Sequence, residues 1–448
     1  MKKTNFPLDE RYFLIGVGGA SMASIALFLL KSGCKVCGSD IKASLVTDAL
    51  CKEGCKIYIG HNAEHLQVGS TVIYSSAIGE DNVELKRAKL ISSKIFTRAE
   101  FLSVLSANFD NFVGVAGCHG KTTTTAMLAN IVNATKLGFL SHIGGEDLNL
   151  GSLHYTGRDV FISEICEFKR NIDLFSPSVG VVVSSGYDHA DCYNTPDELN
   201  NVFYDYLNRS KISVVNGDDL ILSKFKNADI TFGFSKKFTV CAMDVSYKES
   251  GASFNVFVEG KNAGRFYLRS SGRYNVYNSL AAISAAHALN IDFKHIKKGL
   301  SSYRGVKRRF ETVGQINGAT VVCDYAHHPA EISACLAGIQ SKFKRLHVVF
   351  QPHTYSRTKA LFYAFIDVLK CVDDLVIYKT YAAREEYDAE GDAYRLFCEM
   401  GGDCVYAQSP VQLKNHLLGK TKRGDLILVL GAGDIYEIVK SIVNEAYQ

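Results

Sequence analysis

The run Gly117-Cys118-His119-Gly120-Lys121-Thr122-Thr123 places two glycines, an ammonium group and hydroxyls together in a way suited to phosphate. Glycines let main-chain N–H groups approach phosphate oxygens, and a helix opening at that point adds the favourable field of its N-terminus. Lys121 can then neutralise charge that builds on β- and γ-phosphates, and the Thr122 hydroxyl can ligate magnesium. The strict Walker spacing G-x-x-x-x-G-K-[ST] is not met, because Val115 holds the first glycine's place. The competing reading is a glycine turn with an incidental lysine. An apolar strand pattern before the run and a helical one after it favour the phosphate loop.

Other positions carry weaker signals. Gly16-Val17-Gly18-Gly19-Ala20-Ser21-Met22 lies between a strand pattern and a helix pattern, with Asp40 at the end of the next strand. Ser21 stands where a dinucleotide fingerprint needs its third glycine, so two readings remain: a site for some phosphate-bearing ligand, or a structural tight turn. Glu164 follows the apolar strand Val160–Ile162, and His189 follows another strand; residues just beyond strand C-termini converge on the ligand crevice of an open sheet. There a carboxylate and an imidazole could hold magnesium, although the spacing alone equally fits a surface glutamate and a loop histidine. Asn275 and Asn278, then Lys307–Glu311, Asp324–Pro329 and Phe350–Arg357, form polar clusters at strand or domain edges that suggest a cleft.

The elements that must position these residues read as α/β. Tyr12–Gly16, Lys35–Gly38 and Thr71–Tyr74 look like strands, with Ser21–Lys31 as a helix between the first two. Phe112–Ala116 and Val179–Val183 are strand-like, and a helix is expected from about Thr122. The stretch from about Lys237 to Leu268 alternates apolar and polar residues as antiparallel ribbons do, and an Ala-rich helix follows from near Asn275. After Gly305 the pattern restarts with Thr320–Cys323, Leu346–Phe350, Asp374–Tyr378 and Leu426–Leu430. The expectation is three α/β domains, over residues 1–104, 105–302 and 303–448. The first and last read as Rossmann-like, and the middle one as a P-loop-type ATPase bearing a small antiparallel ribbon.

Bulk composition agrees. The chain has 448 residues, too many for one ordinary core, with 47% apolar and 21% charged content typical of a globular protein. A net charge of +4 with dispersed Lys and Arg gives no reason to expect nucleic acid. The 13 cysteines are odd in number in a long chain, which points to reduced thiols and a cytoplasmic setting; Cys34 and Cys37 form a C-x-x-C without a second pair at zinc spacing. The uncharged run Tyr12–Leu30 is divided by Gly16, Gly18 and Gly19 and preceded by Asp9, Glu10 and Arg11, so it reads as a buried β-turn-α unit. No membrane insertion is expected from it.

Taken together, Gly117–Thr125, Gly305–Glu311, Asp324–Glu331, Phe350–Thr358 and Gly431–Ile435 resemble the Mur ligase family, in order and over essentially the whole chain. Gly16–Met22, Ser75–Ile78 and Arg98–Glu100 resemble the branch that joins L-alanine to UDP-N-acetylmuramate in cell-wall synthesis. The resemblance implies three domains, with ATP and Mg2+ as the cofactor pair and the partners UDP-N-acetylmuramate and L-alanine. It implies ATP contacts from Gly117, Cys118, His119, Gly120, Lys121, Thr122, Thr123, Asn278, Arg309 and Asp324. For the sugar nucleotide and amino acid it implies Gly16, Gly18, Gly19, Ser75, Ser76, His119, Tyr325, His327 and Arg357. Lys121, Arg309 and His327 would be catalytic, and Thr122, Glu164 and His189 would hold the metal. Two other readings stand beside it: a ligase that attaches a whole tripeptide to the same sugar nucleotide, and a nucleotide-binding protein without turnover.

Several positions depart from the family pattern. Cys118 replaces a Thr, Ser21 a Gly, Val83 a Pro and Ser184 an Asn, and Tyr274 stands where a His is common. Cys118 keeps the loop backbone; near a helix N-terminus and Lys121 its thiol is expected to be acidic and readily alkylated. Ser184 is expected to change the setting of a second metal.

Overall fold

A computed structural model describes residues 11–446 apart from 93, 187–191, 194, 249–250, 271, 338, 340–342, 384 and 402–403. Three sheets account for its strands. The first is a five-stranded parallel sheet in which Arg11–Ile15 lies between Lys35–Asp40 and Thr71–Tyr74. Its central strand reads RYFLI and is buried after the first residue, as a parallel strand covered on both faces must be. The helix Ala20–Lys31 follows at once, with Gly19 as its N-cap, so the glycine run forms the strand-to-helix corner.

The second sheet has ten strands. Asn111–Ala116 sits at its parallel centre between Val160–Glu164 and Val179–Val182, which brings the C-terminal ends of all three strands to one edge. Lys121–Asn133 is the helix that leaves this edge, and its burial on nearly every side reflects packing against the helices Arg273–Ala288 and Phe293–Ser302. Val240–Lys248, Gly251–Val258 and Lys261–Leu268 extend the sheet as the expected antiparallel ribbon. A hairpin, Phe139–Asp147 with Gly151–Tyr155, closes the other edge; it has no strong alternation and was not expected from sequence. Residues 1–304 form one compact unit that includes both sheets.

Residues 305–448 form the other unit, built on a six-stranded sheet. Ala319–Asp324, Leu426–Leu430, Leu346–Phe350 and Asp374–Tyr378 run parallel, and Glu311–Ile316 adds an antiparallel edge. Apolar side chains pack on both faces. The architecture is therefore three α/β domains with parallel-dominated sheets, and all thirteen cysteines are free thiols. Among the described residues no helix is long and apolar enough to cross a membrane.

At the N-terminal end of that last sheet His347 is wedged between carboxylates. Its Nδ1 meets Asp374, its Nε2 lies 3.2 Å from Asp425, and His416 Nε2 reaches the other oxygen of Asp374 at 3.2 Å. The hydrogen bond to Asp374 raises the His347 pKa, and the same bond with that of His416 holds Asp374 well below the usual carboxylate range. The His347 contribution is thus complete below the ordinary imidazole pKa and is lost as pH rises through its raised value. The Asp374 contribution is complete above the ordinary carboxylate pKa and is lost as pH falls below it. His347→Gln is expected to lower the stability of the full chain by about 2 kcal/mol near pH 6. In thermal melts across pH the difference from wild type should shrink toward about pH 9, and a pH-independent difference would refute the charge-pair account.

Candidate active site

The strand Asn111–Ala116 delivers the chain into the loop 117–120, where Gly117 (φ 127°) and Gly120 (φ 82°) adopt left-handed conformations open to glycine. Ser184, at the end of the neighbouring strand's extension, holds this loop. Its carbonyl accepts from the Cys118 N–H at 3.1 Å, while its hydroxyl accepts from the His119 N–H (2.9 Å) and donates to the His119 carbonyl (3.0 Å). Asn278, from the helix Arg273–Ala288, closes over the loop so tightly that a Cβ on Gly120 would stand 2.3 Å from its Oδ1. The structure therefore brings Gly117–Thr123 and Asn278 together.

Lys121 opens the helix. Its ammonium donates to the Gly117 carbonyl (2.6 Å) and to both carboxylate oxygens of Glu167 (3.0 and 3.1 Å). Burial acts to lower its pKa, but the charge of Glu167 overrides this and the net shift is upward, so the group stays cationic. Glu167 is fully buried. It received no role from sequence; the available signal was a second acid three residues beyond Glu164, and nothing in that spacing says which cation it meets.

Thr122 donates to Glu164 Oε2 at 2.7 Å. Room for that carboxylate exists because residue 144 is glycine: a Cβ there would lie 1.7 Å from Glu164 Oε1. A hydroxyl and a carboxylate so placed are hard oxygen donors of the kind Mg2+ takes. His189, the remaining residue expected at a metal, lies outside the described residues, and among those described no cluster of three or more His, Cys, Asp or Glu forms a metal site. Cys118 is 6% exposed, so the expectation of a readily alkylated thiol meets a side chain shielded from reagent.

The N-terminal glycine run forms a second tight strand-to-helix turn. The N–H groups of Gly16 and Val17 donate to the Ser39 carbonyl, and that of Gly18 donates to Asp40 Oδ2 at 2.8 Å, so Asp40 is occupied in bracing the turn. Ser75 abuts Gly16, where a Cβ would come within 3.2 Å of its own. Next to it Ser76, Arg98 and Lys169 help line a cavity of about 410 Å³. Gly16, Gly18, Gly19, Ser75 and Ser76 thus share one end of the first sheet.

In residues 305–448 the expected residues also gather. Asp324, at the end of its strand, accepts from the N–H groups of Phe310 and Ala326 at 2.8 Å each; burial nonetheless raises its pKa against the lowering effect of Arg309 and these donors. The guanidinium groups of Arg308 and Arg309 lie 4.7 and 5.1 Å from the centre of the Tyr325 ring. Arg308 also donates to the carbonyls of Gly431 and Gly433, both at 2.9 Å, which pins that turn. His327 Nδ1 faces the Tyr325 carbonyl at 2.9 Å and must carry the proton, leaving Nε2 as an acceptor. Burial lowers the His327 pKa. His353, a member of the Phe350–Arg357 cluster to which the sequence assigns no role, has its ring centroid 5.7 Å from that of His327; it accepts from Arg357 at 3.3 Å and its pKa is pushed down to about 4 by burial and then by His327. Two neutral imidazoles and an arginine make a group able to accept a proton and hold a carboxylate.

Three family descriptions match the chain in order. The Mur ligase family catalytic domain matches residues 11–110, the Mur ligase middle domain 115–286, and the Mur ligase glutamate ligase domain 308–433. The chain belongs to the Mur ligase family and is an ATP-dependent ligase that forms amide bonds. It is similar to the UDP-N-acetylmuramate–L-alanine ligase of Lachnospira eligens, 37% identical over 99% of this chain and 100% of that one. The ligase of the same name from Caldanaerobacter subterraneus is 36% identical over 97% of this chain and 98% of its own. Among solved structures, the UDP-N-acetylmuramate-alanine ligase of Thermotoga maritima superposes with a TM-score of 0.82 at 26% identity, covering 98% of this chain and 99% of that one. A murein peptide ligase from Psychrobacter arcticus shares the fold, with a TM-score of 0.73 at 21% identity over 98% of both chains.

Gly120→Ala combines a left-handed φ with a 2.3 Å approach to Asn278, and both would push the loop out of shape. The variant is expected to lose at least about tenfold in ADP affinity by calorimetric titration. Unchanged affinity would show that the loop does not hold the nucleotide.

Proposed function

We propose that this chain joins the amino group of L-alanine to the carboxylate of UDP-N-acetylmuramate, with hydrolysis of ATP to ADP and phosphate, in cytoplasmic peptidoglycan precursor synthesis. The observation that carries the reading is the convergence of Lys121, Thr122 and Glu164 on one glycine loop. The relatives that match the whole chain bear the name of that reaction.

The chemistry follows from charge. A carboxylate is a poor acyl donor, so the muramoyl carboxylate attacks the γ-phosphorus of ATP, ADP leaves, and an acyl phosphate results. Lys121 and the N–H groups of Gly120–Thr123 at the start of the helix stabilise the charge on the phosphoryl oxygens, since positioning and electrostatics dominate such transfers. Thr122 and Glu164, with His189, would hold Mg2+, whose charge would add to that of Lys121. Asn278, Arg309 and Asp324 seat the nucleotide. Gly16, Gly18, Gly19, Ser75 and Ser76, with His119, seat the sugar nucleotide in the first domain, residues 1–104.

The second domain, residues 105–302, carries the phosphoryl transfer, and the third, 303–448, the amino acid. Arg357 offers a cation to alanine's carboxylate, with Tyr325 beside it. The amine attacks the acyl carbon and phosphate departs from the tetrahedral intermediate. His327, neutral with Nε2 free to accept, takes the amine's proton.

Phosphate release should require ATP, UDP-N-acetylmuramate and L-alanine together. Lys121→Ala is expected to lower turnover by at least a factor of about a hundred, roughly 3 kcal/mol of lost transition-state stabilisation. Near-normal turnover in that variant would remove the mechanism, and release dependent on a tripeptide in place of alanine would change the acceptor.

A further inference from the structure

A directed chain of hydrogen bonds crosses from the first domain to the second. Arg98 donates to the Ser21 hydroxyl at 3.0 Å, and Ser21 Oγ lies 2.7 Å from His142 Nε2. His142 Nδ1 lies 3.0 Å from Ser163 Oγ, which donates to the Glu164 carbonyl at 3.1 Å. Because the Ser163 proton is committed to Glu164, Nδ1 must be the protonated nitrogen and Nε2 the acceptor of the Ser21 proton. Every link then has a donor and an acceptor, and the direction is fixed from Arg98 to Glu164. His142 is 3% exposed, and burial followed by the Arg98 charge pushes its pKa down to about 3, so the imidazole stays neutral and does not break the order.

The two ends are the two places where ligands are expected. Arg98 helps line the cavity beside Ser76, and the Glu164 side chain meets Thr122 at the phosphate loop. Nearby, Ser24 Oγ donates to Ser152 Oγ at 3.3 Å and Phe28 packs edge-on to Tyr155 at 5.1 Å, so the helix Ala20–Lys31 is seated on the hairpin that carries His142.

We propose that His142 is a positioning residue that couples the sugar-nucleotide pocket to the phosphate loop, through Ser21 on one side and Ser163 on the other. The proposal rests on the substrate assignment above. An anion drawn to Arg98 redirects the guanidinium and with it the Ser21 hydroxyl; the imidazole passes that adjustment to the strand end from which Glu164 projects. Sugar nucleotide and ATP then favour each other's binding, equally in both directions.

The test is calorimetric titration of the full chain with the non-hydrolysable ATP analogue AMP-PNP and Mg2+, with and without saturating UDP-N-acetylmuramate. Wild type is expected to bind the analogue about tenfold tighter when the sugar nucleotide is present. His142→Leu and Ser21→Ala are each expected to cut that factor to below about twofold, while each ligand alone binds within about threefold of wild type. A purely structural role would shift melting temperature and the separate affinities without removing the coupling. If His142→Leu does not fold, Ser21→Ala alone carries the test. Coupling retained in the variants, or absent in wild type, overturns the proposal. Failure of wild type to bind UDP-N-acetylmuramate at all overturns the substrate assignment and this proposal with it, and is read from the control titration.

Discussion

An ammonium group at the first position of a helix sits in the unfavourable field of that helix, and here it is also largely withdrawn from water. Lys121 can stay charged there only because Glu167 faces it with both oxygens. The dependence is mutual, since Glu167 has no solvent contact and an isolated buried carboxylate would be costly. Much of the local architecture serves that pair. The strand Val160–Glu164 ends just before Glu167, the buried Tyr193 donates to the Glu167 carbonyl, and the left-handed Gly117 turns its own carbonyl onto the ammonium. A phosphate group arriving at the loop meets a cation already oriented and largely desolvated. Its organisation is paid for by the fold, not by the reaction.

The same logic, in which groups are placed at strand ends and their charge state is fixed by burial, recurs in the C-terminal unit with opposite chemistry. There the buried groups are imidazoles, and burial makes them neutral where it left Lys121 charged. The difference lies in the partners. His327 faces a backbone carbonyl and, at 3.5 Å, the Glu331 carboxylate, and His353 faces an arginine; none of these rewards a proton enough to offset desolvation. At the far end of the same sheet His347 faces two carboxylates and shifts the other way. Three histidines of one domain thus differ in charge tendency through the balance of burial and partners, and an imidazole kept neutral is the one useful as a proton acceptor.

Much of this was legible in the sequence, for identifiable reasons. Parallel strands buried on both faces show as short apolar runs, and Leu426–Leu430 or Leu346–Phe350 could hardly be anything else. The ribbon at 240–268 declared itself by alternation. Glycine loops are readable because a left-handed turn at a strand-to-helix corner restricts the residue type. The hairpin Phe139–Asp147 was not readable, since its burial follows from the first domain's helix lying on it and not from its own pattern. Glu167 and His142 were missed for a similar reason: what distinguishes them is the partner, which lies 46 residues away for Glu167 and 121 for His142.

The departures from the family pattern show the same point from the other side. Ser184, which the sequence connects with the setting of a second metal, makes two hydrogen bonds through its hydroxyl to the backbone of His119 and so fixes the loop that Cys118 and Gly120 shape. Ser21, read from sequence as the loss of a glycine, brings a hydroxyl to a helix N-terminus facing another domain. A hydroxyl half-buried there without a partner would be destabilising. His142 and Arg98 supply an acceptor and a donor for it, and Ser163 completes the imidazole's own requirements. A substitution that would be a defect if considered alone is, with its partners present, a fully satisfied polar contact between two domains. The constraint therefore acts on Ser21, His142 and Ser163 together, because removing either serine leaves a nitrogen of the buried imidazole without its partner.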